Sequence, residues 1–228
     1  MWRDLPGIMR QLEDDADTRC IFLTGAGGNF SAGADISEFD TVRASVEQAI
    51  AYEVDVDACG DAIEAISKPT IAVIDGFCIG GACHLALACD FRFASNAASF
   101  AIPAARLSIV YGVTATRKLM SVVGLVQAKR VLYSAQRFSA REGHEMGFFD
   151  DLSDDPMHSA REFADNIARN APLSVSGAKK ILNGLSRGMQ SDDPRGVEAA
   201  INRAIDSDDY REGRDAFAQK RTPVFTGR

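Results

Sequence analysis

Two glycine-rich turns, about 50 residues apart, constrain the fold of this chain more than any other feature. The first spans 25–33 after the apolar run 20–24, and the second spans 75–81 after the run 70–74. In each case a short apolar run precedes the bend and a helix-forming stretch follows it. Such a bend lets a ligand approach bare backbone, while the following helix directs free N–H groups toward that ligand. Two converging turns would supply two donors to one developing oxyanion.

Apolar spacing along the rest of the chain predicts an α/β core. Residues 2–12 and 46–66 have the spacing of helices, and Pro69 marks the end of the second because the residue before proline avoids the α region. The remaining predicted elements of the core are strands at 20–24, 70–74 and 91–94, a helix at 80–89, and a helix at 114–135 with a break near Gly124.

The last third of the chain carries only helix signals. Two serine–glutamate pairs match the capping box that opens a helix, Ser139 with Glu142 and Ser159 with Glu162. A strand-rich first part followed by helices predicts an α/β core over residues 1–155 and a helical C-terminal region over residues 156–228.

Charge and composition argue against two classes of partner. The formal net charge is -7, whereas sequence-independent nucleic-acid binding needs a basic surface. The longest apolar stretch, 70–89, contains Asp75 and His84, so it is typical of a buried strand, turn and helix rather than a membrane span. The sequence shows no secretory leader, and we expect a cytoplasmic protein that binds neither nucleic acid nor membrane.

Cysteine and histidine usage predicts neither a disulfide framework nor a metal site. The five cysteines are odd in number and form no Cys-x-x-Cys pair, which suits reduced thiols. The three histidines lack metal-ligand spacing. Gly25 and Gly27 begin a possible dinucleotide fingerprint, but Phe30 occupies the position of its third glycine, so we predict no nucleotide cofactor.

Three stretches of the chain carry specific motifs. The first is 30–36 with the run 21–25 before it, the second comprises 68–76 and 80–90, and the third is 209–225. Together they closely resemble the signatures of the enoyl-CoA hydratase/isomerase (crotonase) superfamily, and the likeness runs from end to end. This resemblance implies a ββα spiral core, a C-terminal helical region that builds trimers often paired into hexamers, and an acyl-CoA substrate whose CoA is part of the thioester rather than a separate cofactor.

The resemblance also implies roles for particular positions. The backbone N–H groups of Ala34 and Gly81 would form the oxyanion hole for the thioester carbonyl. Phe217 and Lys220 match residues that reach the CoA nucleotide from a neighbouring subunit. The path of CoA and its pantetheine arm would be lined by Ala32, Asp35, Ile36 and Ser37.

The sequence departs from the superfamily pattern at the positions of the acid–base pair. The two glutamates that place water in the hydratases correspond here to His84 and Ala104. Arg106 and Tyr111 are then the polar candidates near the acyl chain. The superfamily usually carries a first hairpin and part of the CoA site before Trp2, and we expect this chain to begin at the helix that follows them.

His84 and Tyr111 each have two interpretations. His84 follows Gly81 by three residues, so on a helix it shares the face of that donor. The nearby helix N-terminus favours a neutral imidazole that could transfer a proton, but the ring could equally be buried and bonded to backbone. Tyr111 stands between a valine and a glycine, and either packs or takes part in catalysis.

The sequence therefore leaves three functions open. The first is an enzyme of the hydratase/isomerase type that stabilises a thioester enolate, although loss of both glutamates makes hydration doubtful because each acid–base group contributes roughly 10² to 10⁴ in rate. The second is a decarboxylase of a malonyl-type CoA thioester that uses Tyr111, since a site without carboxylates does not repel the substrate's own. The third is a catalytically silent oligomer that binds acyl-CoA.

Overall fold

A computed structural model describes residues 1–188 and 194–228 of the chain. The strands of this part are β1 (Ile21–Thr24), β2 (Thr70–Ile74), β3 (Phe77–Ile79), β4 (Phe91–Ser95), β5 (Ser99–Ala101), β6 (Phe138–Ser139) and β7 (Asp151–Ser153). The larger sheet has the order β1-β2-β4-β7, and all its neighbours are parallel. In the smaller sheet, β3-β5-β6, strand β5 runs parallel to β3 and antiparallel to β6.

Helices surround both sheets. They are α1 (Leu5–Asp14), α2 (Phe39–Val42), α3 (Val46–Ala65), α4 (Gly81–Ala88), α5 (Val113–Ser134), α6 (Ala140–Glu145), α7 (Pro156–Ala168), α8 (Pro172–Ser186), α9 (Pro194–Ile205) and α10 (Asp208–Gln219). Short 3₁₀ turns cover Ile36–Glu38 and Pro103–Leu107. The chain is thus a mixed α/β protein, as the sequence predicts.

Strand β2 lies at the centre of the core because its residues are apolar on both faces. Ile71 and Val73 pack with Ala160 and Ala164 of α7 on one side of the larger sheet. Ala72 and Ile74 belong to the main core cluster on the other side. A strand covered on both faces carries a continuous apolar run, which is how β2 could be predicted from the sequence.

Most predicted elements are confirmed, and two details are wrong. Gly124 interrupts α5 with a φ of 75°. The pair Ser159 and Glu162 does not open a helix, because α7 has already begun at Pro156, where Asp155 accepts a hydrogen bond from the N–H of His158. The first glycine-rich turn leads into a 3₁₀ turn at Ile36–Glu38 and the short helix α2, so Ala34 does not stand at the start of a helix.

The C-terminal helices are anchored to the core by polar contacts. Lys179 on α8 forms an ion pair with Asp90 at 2.7 Å, and the amide of Asn183 donates to the backbone carbonyl of Glu64. Several large apolar side chains of this region remain exposed, namely Leu182, Leu185, Ile201, Ile205 and Phe217. Helix α7 packs on the larger sheet, so the division of the chain between residues 155 and 156 stays a prediction. The oligomer also stays a prediction.

Candidate functional site

The two glycine-rich turns come together at the site. The N–H of Ser31 donates to the carbonyl of Phe77 at 2.8 Å, and the N–H of Ile79 donates to the carbonyl of Ser31 at 3.0 Å. Gly33 has a φ of 91°, and a Cβ at this position would lie 2.5 Å from the carbonyl oxygen of Ile79 and 3.4 Å from the nitrogen of Gly81. The close approach of the two backbones therefore requires glycine at position 33.

The N–H groups of Ala34 and Gly81 are available to a ligand. In the part of the chain that the structure describes, neither of them donates a hydrogen bond to a protein acceptor. Gly80, with a φ of 60°, turns the chain so that α4 begins at Gly81, while its own N–H donates to the carbonyl of Ala101. The free donor of Gly81 is the ordinary consequence of a helix start, whereas Ala34 precedes the 3₁₀ turn at Ile36–Glu38.

Both residues line one cavity, which has a volume of about 130 Å³. Of the positions predicted from the sequence, this cavity brings together Ala32, Ala34, Ile36, Gly81, His84, Tyr111 and the non-catalytic Ala104. Its far wall is apolar and consists of Ile102, Leu107, Ile109, Val110 and Ala115. The shape and lining suit a short apolar group whose carbonyl reaches the two free amides.

His84 is buried in α4 beside this cavity. Its exposed fraction is 1%, and neither ring nitrogen has a partner at hydrogen-bond geometry among the described residues. Burial, followed by the positive charge of Lys118, lowers the pKa of His84 to about 4, against a weaker opposing effect of the Val56 carbonyl and Glu64. The imidazole is therefore neutral at pH 7, as the sequence predicts, but burial and Lys118 are the causes rather than the helix N-terminus.

Tyr111 directs a buried hydroxyl into the same region. The hydroxyl oxygen has no hydrogen-bond partner among the described residues. Burial, and then the neighbouring thiols of Cys83 and Cys78, raise the pKa of Tyr111 well above its usual value. Tyr111 is thus a neutral donor without an acceptor, and such a group is costly to bury unless a ligand satisfies it.

Sequence reasoning missed the wall that α3 contributes. Glu53 and Asp57 both line the cavity, one helical turn apart. The Oδ1 atom of Asp57 lies 3.9 Å from Nε2 of His84, and Glu53 accepts a hydrogen bond from Arg43 at 2.6 Å. The expectation of a site without carboxylates is therefore wrong. The sequence shows the spacing of the two acidic residues, but it does not show which face of α3 lines the cavity.

Trp2 was also missed. Its ring lies about 3.1 Å from the place that a Cβ of residue 81 would occupy, so the indole covers Gly81 directly. Its Nε1–H donates to the hydroxyl of Tyr52 at 3.0 Å, which links α3 to the N-terminal segment. Nothing in the local sequence indicates this contact, since Trp2 and Gly81 are far apart along the chain.

Arg106, one of the two polar candidates near the acyl chain, is exposed and lies outside the cavity lining, as do four residues predicted to contact CoA. The Asp35 carboxylate caps the turn at Ile36–Glu38 by accepting from the N–H and hydroxyl of Ser37. Phe217, 87% exposed, lies on α10 along a surface groove of the C-terminal helices. Lys220 ends that helix in the left-handed conformation. Their predicted contacts with CoA stay predictions.

The described residues contain neither a metal-binding cluster nor a membrane-spanning helix. Within residues 1–188 and 194–228 no cluster of His, Cys, Asp or Glu side chains is arranged to hold a metal ion. In the same ranges no helix is both long enough and apolar enough to span a membrane.

Known proteins match the chain over its whole length. The family model for enoyl-CoA hydratase/isomerase matches residues 1–228. YngF of Bacillus subtilis, named as an enoyl-CoA hydratase/isomerase, is 34% identical over 100% of this chain and 88% of its own length. A short-chain-enoyl-CoA hydratase of Clostridium acetobutylicum is 31% identical over 96% of this chain and 84% of its own.

A solved structure shows the same fold. It is an enoyl-CoA hydratase/isomerase family protein from Hyphomonas neptunium, with 35% identity, a TM-score of 0.95, and coverage of 100% of this chain and 88% of its own. The fold predicted from the resemblance is thereby confirmed. With the family match over every residue, these similarities show that the chain belongs to the enoyl-CoA hydratase/isomerase (crotonase) family.

Proposed function

We propose that this chain is an enzyme that binds an acyl-CoA thioester and stabilises its enolate between the N–H groups of Ala34 and Gly81. The observation that carries the proposal is that two converging turns bring these amides to one cavity, and that neither donates to a protein acceptor in the described part of the chain. Loss of a single donor of this kind typically costs roughly 10² to 10³ in rate, so a pair accounts for a large part of enolate formation.

The reaction proposed is proton transfer at the carbon next to the thioester carbonyl, as in the hydratase/isomerase class. His84 supplies a neutral ring nitrogen for that transfer, whereas Ala104 has no polar group. Efficient hydration needs a second acid–base group to deliver water, and the alanine does not provide it. We therefore expect enolate formation and reprotonation to be faster than the addition of water.

Decarboxylation of a malonyl-type CoA thioester is the second candidate. The unpartnered hydroxyl of Tyr111 favours it, because a substrate carboxylate would satisfy that donor. The carboxylates of Glu53 and Asp57 oppose it, since they raise the cost of placing another negative charge in the cavity. A silent acyl-CoA-binding protein is the third reading, and the same experiment tests it.

We further propose that Asp35, Ser37, Phe217 and Lys220 contact CoA, the last two from a neighbouring subunit of a trimer or hexamer. The exposed position of Phe217 supports this arrangement. A cytoplasmic location is proposed because the five cysteines are unpaired thiols.

The test combines binding with isotope exchange. Calorimetry with butyryl-CoA should show saturable binding, and incubation in D₂O should replace the protons next to the thioester carbonyl, as NMR or mass spectrometry detects. Binding without exchange would leave the silent protein as the correct reading. Loss of CO₂ from malonyl-CoA or methylmalonyl-CoA would favour the decarboxylase, and an absence of binding at millimolar thioester would overturn the proposal.

A further inference from the structure

We propose that Asp57 on α3 is the positioning residue for His84, and that the two side chains together replace the missing glutamates as the proton-transfer pair of this chain. The inference rests on the proposed function, because it names the group that supports proton removal from the bound thioester. It adds a residue from a helix that carries neither glycine-rich turn.

The packing of α3 against α4 brings the pair together. Nε2 of His84 lies 3.9 Å from Oδ1 of Asp57. A Cβ at Gly60, on the next turn of α3, would lie 2.3 Å from the same Nε2 atom. The imidazole therefore fits against α3 only because residue 60 is glycine. The carboxylate of Asp57 lies beside the ring, one helical turn before Gly60.

The other charged groups around the ring are paired with one another. Lys118 of α5 faces the ring and lies 3.1 Å from Glu64, which also pairs with Arg117 and Arg187. Glu53, which lines the cavity one helical turn before Asp57, is paired with Arg43. The exposed carboxylate of Asp61 lies 3.9 Å from Lys118.

Asp57 is the carboxylate that remains available to pair with the His84 ring. In the described ranges its only ion-pair contact is with His84. Burial, then Asp61 and Glu53, raise the pKa of its carboxyl group, which makes it a better proton acceptor than an ordinary aspartate.

The proposed step balances in protons and charge. Neutral His84 accepts the proton from the carbon next to the thioester carbonyl, and the electron pair of that C–H bond forms the enolate, whose oxygen the amides of Ala34 and Gly81 hold. The imidazolium so formed would face Lys118 across a buried site, and the Asp57 carboxylate offsets that repulsion. A separation of 3.9 Å exceeds a hydrogen bond, but catalytic contacts are often long without substrate and shorten in the complex.

Three variants test this assignment. Asp57→Asn should slow exchange of butyryl-CoA in D₂O by roughly 10²-fold or more, as expected for loss of a group that supports acid–base catalysis, while calorimetry shows little change in thioester affinity. Asp57→Glu keeps the charge and should restore part of the rate. Glu47→Gln, which removes one negative charge from an exposed position of α3 outside the cavity lining, is the matched control and should exchange like the wild type.

Two readouts separate positioning from a merely structural role. In a His84→Ala background, Asp57→Asn should cause no further loss, because the two residues act as one unit. In the single variant the acid limb of the exchange rate should move to lower pH, since removal of a nearby anion lowers the pKa of His84. A merely structural role would instead add a further loss in the His84→Ala background and would leave the acid limb in place.

The outcomes distinguish the inference from the function on which it rests. If the wild type exchanges protons and Asp57→Asn, folded by circular dichroism, exchanges equally fast, the inference is wrong and the proposed function stands. An equal loss in Glu47→Gln would likewise overturn it. If the wild type binds butyryl-CoA without exchange, the proposed function and the inference both fail.

Discussion

At the scale of single residues, His84 shows how burial decides chemistry. An imidazole in water is close to half-protonated near pH 6.5, but this ring is enclosed by α3, α4 and the ammonium group of Lys118. The protein stabilises its neutral form without giving either nitrogen a hydrogen-bond partner. Such an unsatisfied buried group lowers the stability of a fold, so its presence beside a cavity points to a functional role.

The same ring should make the protein sensitive to acid. The folded-state pKa of about 4 lies below the value of 6.5 in the unfolded chain, so the unfolded state gains a proton first as the pH falls. The free energy of unfolding should then decrease by about 2 to 3 kcal/mol between pH 7 and 4.5 through this group alone. Urea unfolding of His84→Gln should lack that part of the decrease. His158→Gln, at an exposed position, serves as control, and equal pH slopes for wild type and His84→Gln would contradict the prediction.

At the scale of elements, the site depends on two turns meeting edge to edge. The parallel bridge between Ser31 and Cys78 aligns them, and Gly33 allows the backbones to touch. Each turn could form alone from its glycines, but the pair of free amides exists only where the two are in register. The third wall, α3, is positioned by its contacts with α1 and α4.

Gly33→Ala should separate the turns. The new methyl group would lie 2.5 Å from the carbonyl oxygen of Ile79, so the backbone must shift and the spacing of the two amides changes. Gly28→Ala is the matched control, since its φ of 77° imposes the same left-handed strain, roughly 1 to 2 kcal/mol, in open space. Calorimetry and exchange with butyryl-CoA should fail for Gly33→Ala and persist for Gly28→Ala, although thermal unfolding shows both to be less stable. Normal binding by Gly33→Ala would disprove this role of the turns.

At the scale of the whole molecule, exposed apolar side chains lie on the C-terminal helices, on α3, and on α5 with the segment before it. One set belongs to the C-terminal helices and includes Leu185, Ile205 and Phe217. Another follows the outer face of α3 at Val46, Ile50 and Val54. Large apolar patches of this kind usually mark interfaces between proteins, in agreement with the oligomer that family membership leads us to expect.

Phe217→Asp should therefore weaken the assembly. Light scattering of the wild type should give three or six times the 24.5 kDa mass of one chain, and the variant should shift toward smaller species because a charge cannot be buried at an apolar contact without a partner. Thr222→Asp adds the same charge at a nearby exposed position and should keep the wild-type mass. A wild type that elutes as a monomer would refute the expectation.

Local patterns in the sequence were sufficient for most of the fold. The run 70–74 predicted β2 because a strand buried on both faces is apolar throughout, and Gly124 predicted the break in α5 because glycine readily adopts a positive φ. The capping box at Ser139 and Glu142 opens α6 as predicted. The second box failed since Asp155 and Pro156 begin α7 four residues earlier, and two competing start signals cannot be ranked from sequence alone.

By itself, the sequence determined the two glycine-rich turns, because each is a property of a few consecutive residues. It also predicted the donors at Ala34 and Gly81 and, from the family resemblance, a histidine at one of the glutamate positions. Only the tertiary structure decided which side chains surround His84. Asp57, Gly60 and Lys118 come from two other helices, and their distances to the ring depend on how those helices pack rather than on any local preference. The chemistry of the site therefore follows from long-range packing, since the burial and charge that govern a pKa are properties of the assembled core.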